Sequence, residues 1–183
     1  MRAYDDWPTT LIVGFSGCSG DRKSPRLSLR LNGSRQSIYT CYKLLTMNQH
    51  SIELRVRYDE CDPMGFVHHS NYLRYFEIGR TELLRASGGC YAEMEEAGVL
   101  VVVVRVDCRY RRPAKYDDLI TVRTTIARVT AAKIIHEYSI TRENPPGEPE
   151  AIVDATVTLA VIDRQGKLQR VPQSLRDQYE GQG

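Results

Sequence analysis

Arg57-Tyr58-Asp59-Glu60-Cys61-Asp62-Pro63-Met64-Gly65-Phe66-Val67-His68-His69-Ser70-Asn71-Tyr72-Leu73-Arg74-Tyr75-Phe76-Glu77-Ile78-Gly79-Arg80 is the stretch on which the reading of this chain turns. It closes an extended segment, breaks at Pro63 and Gly65, and enters a helix near Ser70. Ahead of the break, Ile52 to Tyr58 alternate apolar and polar at period two, the pattern of a half-buried strand. Behind it, Tyr72, Tyr75, Phe76, Gly79, Leu83 and Ala86 recur at i, i+3, i+4 and i+7, so one helix face is buried. Arg74, Glu77, Thr81 and Arg85 lie largely on the other side. Ser70 or Asn71 is expected to cap the helix by accepting a bond from a free backbone N–H. Gly79 within the apolar face costs about 1 kcal/mol of helix propensity, which predicts close approach of the sheet there. Gly88-Gly89 ends the helix, and Tyr91 to Ala97 predicts a second, short one.

Four more strands follow. Val102, Val104, Val106, Cys108 and Tyr110 alternate with Val103, Arg105, Asp107, Arg109 and Arg111, and Pro113 ends the strand. Leu119 to Val129 and Lys133 to Arg142 flank a tight connection, so they should pair antiparallel. Asn144-Pro145-Pro146-Gly147 is a loop. Ala151 to Val161 is the last strand, Asp163 to Gly166 a turn, and Pro172 to Tyr179 a terminal helix. One sheet of five strands covered by one long helix is a two-layer α+β domain.

The chain has 183 residues, of which 42% are hydrophobic and 26% charged, so one domain can bury a core without staples. A net charge of +2 gives no argument for a nucleic-acid partner. The five cysteines, at 18, 41, 61, 90 and 108, show no C-x-x-C pair, which suits reduced thiols in the cytoplasm. The longest apolar run, Val99 to Val104, is strand length and far short of a membrane span. Residues 1–46 do not match the remainder. Leu11 to Phe15 is too short, and too acidic at its front, for a secretory signal. We expect 1–46 to be a disordered extension ahead of a natural start at Met47, and 47–183 to be the folded domain.

The chemistry gathers at the turn. Asp62 precedes a proline, which holds its backbone extended. Seven residues later the helix begins, and its first N–H groups lack internal partners and carry a partial positive charge. A carbonyl oxygen gaining negative charge would be stabilised there. A facing carboxylate could attack that carbonyl or activate water. Asp62, an N–H near His69, and the polar neighbours Tyr58 and His69 thus compose an acyl-transfer site. The alternative is a plain Asp-Pro turn with no chemistry. Cys61 adjoins the turn with no partner base specified. Adjacent His68 and His69 point apart and lack a third metal ligand. His136, mid-strand among apolar residues, is expected to be structural.

Tyr58-Asp59-Glu60-Cys61-Asp62-Pro63-Met64-Gly65-Phe66-Val67-His68-His69-Ser70-Asn71-Tyr72, with Phe76-Glu77-x-x-Arg80 and the later Tyr110-x-x-Pro113-x-x-Tyr116-Asp117-Asp118, resembles the signature of the hotdog-fold 4-hydroxybenzoyl-CoA thioesterase family. The similarity is greatest to its YbgC-type acyl-CoA thioesterase branch and covers about residues 50 to 180. It implies a hotdog fold, a five-stranded antiparallel sheet wrapped around one long helix. It implies a dimer joined sheet edge to sheet edge, often paired again into a tetramer. It further implies hydrolysis of an acyl-CoA thioester without metal or cofactor, coenzyme A being part of the substrate. The catalytic aspartate falls on Asp62 and the carbonyl-polarising N–H on His69. The tyrosine and histidine of the YbgC-type branch match Tyr58 and His69. Cys61 departs from the threonine common in that branch and matches aromatic-substrate members, which leaves the acyl group open.

Gly65, Val67, Tyr72 and Glu77 are the expected substrate contacts around the turn and helix, Glu77 also standing as reserve base. Arg105, Arg109, Arg111, Arg112 and Lys115 give one strand and its exit a basic edge, and Lys133 opens the next hairpin strand. Arg111 and Lys133 are the expected holders of the coenzyme A phosphates. Two other readings stand beside hydrolysis: a non-catalytic module that binds acyl-CoA or an acyl carrier protein, and a dehydratase.

Overall fold

A computed structural model describes residues 47–143, 147–171 and 176. The expected extension 1–46, most of the 144–147 loop and the expected terminal helix lie outside the described residues. The elements run β1 (Gln49–Arg55), a single 3-10 turn (Tyr58–Glu60), α1 (Asn71–Ala86), α2 (Tyr91–Glu96), β2 (Leu100–Tyr110), β3 (Leu119–Val129), β4 (Ile134–Arg142), β5 (Glu150–Ile162) and β6 (Leu168–Gln169). Five long strands form one antiparallel sheet in the order β1-β3-β4-β5-β2, and the two-residue β6 adds to the end of β5.

The apolar face read from the sequence is the buried one. Tyr72, Tyr75, Phe76, Gly79 and Leu83 of α1 are buried, and they meet Ile120 and Val122 of β3, Tyr138 and Ile140 of β4, and Val157 and Leu159 of β5 in one core. The Phe76 and Tyr138 ring centroids stand 4.6 Å apart. Gly79 is the point of closest approach. A Cβ there would meet the Thr124 hydroxyl at 2.4 Å and a Val122 methyl at 3.2 Å.

The structure corrects the sequence reading in three places. The first strand ends at Arg55, not Tyr58. The Arg57 N–H instead donates to the Glu60 carboxylate at 2.7 Å, which rolls Tyr58 to Glu60 into a 3-10 turn. Neither Ser70 nor Asn71 caps α1 through its side chain. Ser70 is the N-cap residue but makes no side-chain cap bond, because its hydroxyl pairs with His68 Nδ1 at 2.8 Å. The Asn71 amide points backwards and donates to the Glu60 carbonyl at 2.7 Å. In β2 the alternation does not persist. The register against β5 shifts between Val103 and Arg105, so Val101 packs on the core before the bulge, and Val106 and Cys108 after it. Val104 is left 54% exposed.

Candidate active site

Residues 60 to 68 form a small antiparallel ladder that delivers the chain to α1. Cys61 pairs with Val67. The His68 N–H donates to the Glu60 carbonyl at 2.9 Å and the Asp62 N–H to the Phe66 carbonyl at 2.9 Å. The Gly65 N–H closes the turn onto the Asp62 carbonyl at 2.9 Å, and Gly65 has φ +78. Proline after the first turn residue and glycine in the left-handed region are what a type I turn followed by a bulge requires. Cys61 and Val67 face the core. By the alternation of an antiparallel pair, Glu60, Asp62, Phe66 and His68 project from the opposite side.

The Asp62 side chain is half-buried. Its Oδ1 accepts the Met64 N–H at 2.8 Å, which orients the carboxylate and leaves Oδ2 without a bond to any described residue. One residue beyond the ladder, the His69 N–H likewise finds no acceptor among the described residues. Its neighbours are engaged: the Asn71 N–H donates to the His68 carbonyl at 2.9 Å, and the Tyr110 hydroxyl donates to the His69 carbonyl at 3.3 Å. Asp62 and His69 thus stand at opposite ends of the ladder, the carboxylate at its turn and the N–H where the chain leaves it for α1.

The other residues singled out in the sequence separate into groups. Val67 and Tyr72 are core residues, 6% and 3% exposed. The Tyr72 hydroxyl accepts the Ala114 N–H at 3.3 Å, and burial pushes its phenol up. Tyr58 is 80% exposed. It stacks edge-on against Tyr116 at 5.5 Å and makes no hydrogen bond to Asp62 or His69. With Glu77 it lines an open groove of about 970 Å³ between β1, the 3-10 turn and the outer side of α1. Glu77 pairs there with Arg80 at 3.7 Å. The His69 ring is exposed and lies 4.2 Å from the His68 ring. Arg111 is paired with Asp154, Arg112 with Glu150 at 3.1 Å, and Arg105 with Asp107 at 2.8 Å. Lys133 sits in the β3–β4 turn. The 11 residues of β3 lie between it and the segment that touches the ladder, about 30 Å. Lys115, by contrast, bridges to Phe66 and stands 5.8 Å over its ring. Cys61 is turned inward, and burial raises its thiol, the opposite of what a nucleophile needs.

Glu60, Asn71, Tyr75 and Tyr110 carry site contacts that sequence reading did not single out. Glu60 sits where an acid in a capping box would, but Arg57 in place of Ser or Thr hides the pattern. Tyr75 reads as core, and it is buried, yet its hydroxyl donates to the Glu60 carboxylate at 2.7 Å. Tyr110 reaches the helix mouth only through the return of β2, a contact across 41 residues.

A five-stranded antiparallel sheet wrapped about one long helix defines a hotdog-fold protein, and the ladder that leads into that helix carries a half-buried carboxylate and an unengaged main-chain N–H. The chain belongs to the Thioesterase-like superfamily, which it matches over residues 56–179. It is similar to the acyl-CoA thioesterase YbgC of Haemophilus influenzae, 34% identical over 68% of this chain and 88% of the relative. It is also similar to YneP of Bacillus subtilis, 38% identical over 62% of this chain and 79% of the relative. Among solved structures it resembles the DHNA-CoA thioesterase of Staphylococcus aureus, with a TM-score of 0.65 and 26% identity over 73% of this chain and 88% of that one. The 4-hydroxybenzoyl-CoA thioesterase of Pseudomonas sp. strain CBS-3 shares the fold at a TM-score of 0.62 and 21% identity, over 69% of this chain and 94% of that one.

Proposed function

We infer that this protein hydrolyses acyl-CoA thioesters to the free acid and coenzyme A, and that Asp62 and the His69 N–H perform the step. The relatives named as acyl-CoA thioesterases support the reaction. The observation that carries the residue roles is the 60–68 ladder, with an oriented carboxylate at its turn and an unengaged N–H where it runs into α1.

The thioester oxygen accepts the His69 N–H, and the partial positive charge of the helix mouth adds to the pull. Asp62 Oδ2 then adds to the carbonyl carbon, or removes a proton from a water that adds. The C–S bond breaks, and the sulfur leaves as a thiolate that takes up a proton. In the first route water afterwards cleaves the acyl-aspartyl anhydride, so both routes consume one water and give acid and thiol. The chemistry needs no metal and no cofactor. Lys115, which stands over the Phe66 ring and has no acid partner among the described residues, supports a contact with a coenzyme A phosphate at the turn.

The working unit is a homodimer joined through β2. That strand is an open edge of the sheet, with Val103 and Val104 48% and 54% exposed, and an unpaired apolar edge seeks another strand. A reduced, cytoplasmic setting agrees with the free thiols of Cys61 and Cys108. The test is thiol release from purified protein over short-chain, long-chain and aromatic acyl-CoAs. Saturable release from at least one class is the expected result. Binding without release across the panel would make the protein a carrier module.

A further inference from the structure

Glu60 accepts four hydrogen bonds that the proposed chemistry does not use directly. Its carboxylate accepts the Arg57 N–H and the Tyr75 hydroxyl, each at 2.7 Å. Its carbonyl accepts the His68 N–H at 2.9 Å and the Asn71 side-chain amide at 2.7 Å. One residue therefore ties the 3-10 turn, the Asp62 ladder and the first turn of α1 to a buried tyrosine that is only 2% exposed.

We propose that Glu60 is a positioning residue that sets the His69 N–H against the Asp62 carboxylate, with Tyr75 as its anchor. The proposal rests on the roles given above to Asp62 and His69. The peptide group that offers the His69 N–H runs between His68 and His69. Its carbonyl is fixed by the Asn71 N–H, and the residue on its near side by His68 N–H to Glu60. Asn71 is in turn held by its amide on the same Glu60 carbonyl. On the ladder side, both main-chain hydrogen bonds of His68 run to Glu60 or to Asn71, while its ring pairs with the Ser70 hydroxyl. On the other strand, Asp62 follows Glu60 by two residues, so the acceptor that steadies the donor also begins the segment bearing the nucleophile. The Tyr75 hydroxyl keeps the carboxylate from turning away, and burial together with that bond pushes its phenol far up, so it stays a donor. Ser70, which could have steadied the mouth as a cap, is turned to His68 instead.

An oxyanion donor displaced by about 1 Å loses on the order of a hundredfold in rate. Glu60→Ala is expected to lower kcat 10- to 100-fold with KM changed less than twofold. Glu60→Gln, which keeps an acceptor oxygen for Tyr75, is expected to recover most of that loss. Tyr75→Phe is expected to lower kcat about 3- to 10-fold. The double variant Glu60→Ala/Tyr75→Phe should be no slower than Glu60→Ala, because both act through one contact. The pH–rate profile should keep its limbs, since no proton-transferring group is altered. Should Glu60→Ala fail to fold, Tyr75→Phe and Glu60→Gln carry the test. A kcat in Tyr75→Phe within twofold of wild type, losses that multiply in the double variant, or a displaced pH limb each overturn the clamp while leaving Asp62 and His69 in place. A wild-type rate in Asp62→Asn, or no thiol release from wild type, overturns both.

Discussion

In the proposed mechanism His69 acts through its main chain, and that separates it from most histidines near a reacting carbonyl. Its ring is exposed and rests on the His68 ring, whereas its N–H is the group left open at the helix mouth. His69→Ala should therefore keep turnover within about tenfold, since it keeps the N–H. His69→Pro removes the donor, since proline has no backbone N–H. It should lower kcat by a hundred- to a thousandfold, with both rates read by thiol release at saturating substrate. Equal losses in the two variants would give the role to the ring. The Asp62 turn was legible in the sequence because proline and glycine dictate its geometry. The Glu60 clamp was not, since a glutamate's partners depend on which distant side chain reaches it, and Tyr75 looked like any core aromatic. Arg111 and Lys133 show the same limit. Residue type suggested phosphate, but Arg111 is answered by Asp154 on β5, and Lys133 stands at the far end of a hairpin.

Helix α1 rests on the sheet at Gly79, and its stability depends on that contact more than on helix propensity. Gly79→Ala gains about 1 kcal/mol of propensity, but its Cβ would stand 2.4 Å from the Thr124 hydroxyl. Overpacking of that kind costs about 1–3 kcal/mol. Urea melts should show Gly79→Ala less stable than wild type, and Thr124→Ala should recover most of the difference, since it also removes a buried hydroxyl that lacks a partner. Under the same helix lies His136 of β4, which contacts the Tyr138 hydroxyl at 3.4 Å. Burial pushes its imidazole down to about 3, and the Arg80 charge adds to the shift. The unfolded chain protonates it near pH 6.5, while the folded chain holds it neutral. Its contribution is therefore full above about pH 6.5 and is lost as pH falls towards 3, by up to about 1.4 kcal/mol per pH unit. His136→Gln should show a shallower fall in stability between pH 6.5 and 4 than wild type. An identical slope would mean that the ring takes up a proton without resistance. The periodicity of α1 and the length of β3 were legible because both elements are long. The β2 phase was not, because a bulge reverses the inward face without any glycine or proline to announce it.

At the scale of the whole molecule, the sheet ends in two edge strands, β1 and β2, and the second of these reaches the helix mouth. The β2 edge carries exposed valines and ends at Tyr110, whose hydroxyl reaches the His69 carbonyl. The proposed dimer edge and the catalytic helix mouth are thus joined by one strand. Val103→Lys places a charge on that edge and should shift the protein to monomer in light scattering, with loss of activity following dissociation. A fully active monomer would detach the site from the interface. The edge-to-edge dimer came from family resemblance, not from the alternation of residues, because an edge strand looks like an inner strand until the neighbours are known.

The most direct test of the account is single-turnover thiol release by Asp62→Asn beside wild type, on whichever acyl-CoA wild type hydrolyses fastest. The substitution keeps the acceptor oxygen that can hold the Met64 N–H and removes only the charge and basicity. The account expects a rate at least a thousandfold lower, with the melting temperature and oligomeric state unchanged. Release at the wild-type rate would contradict it.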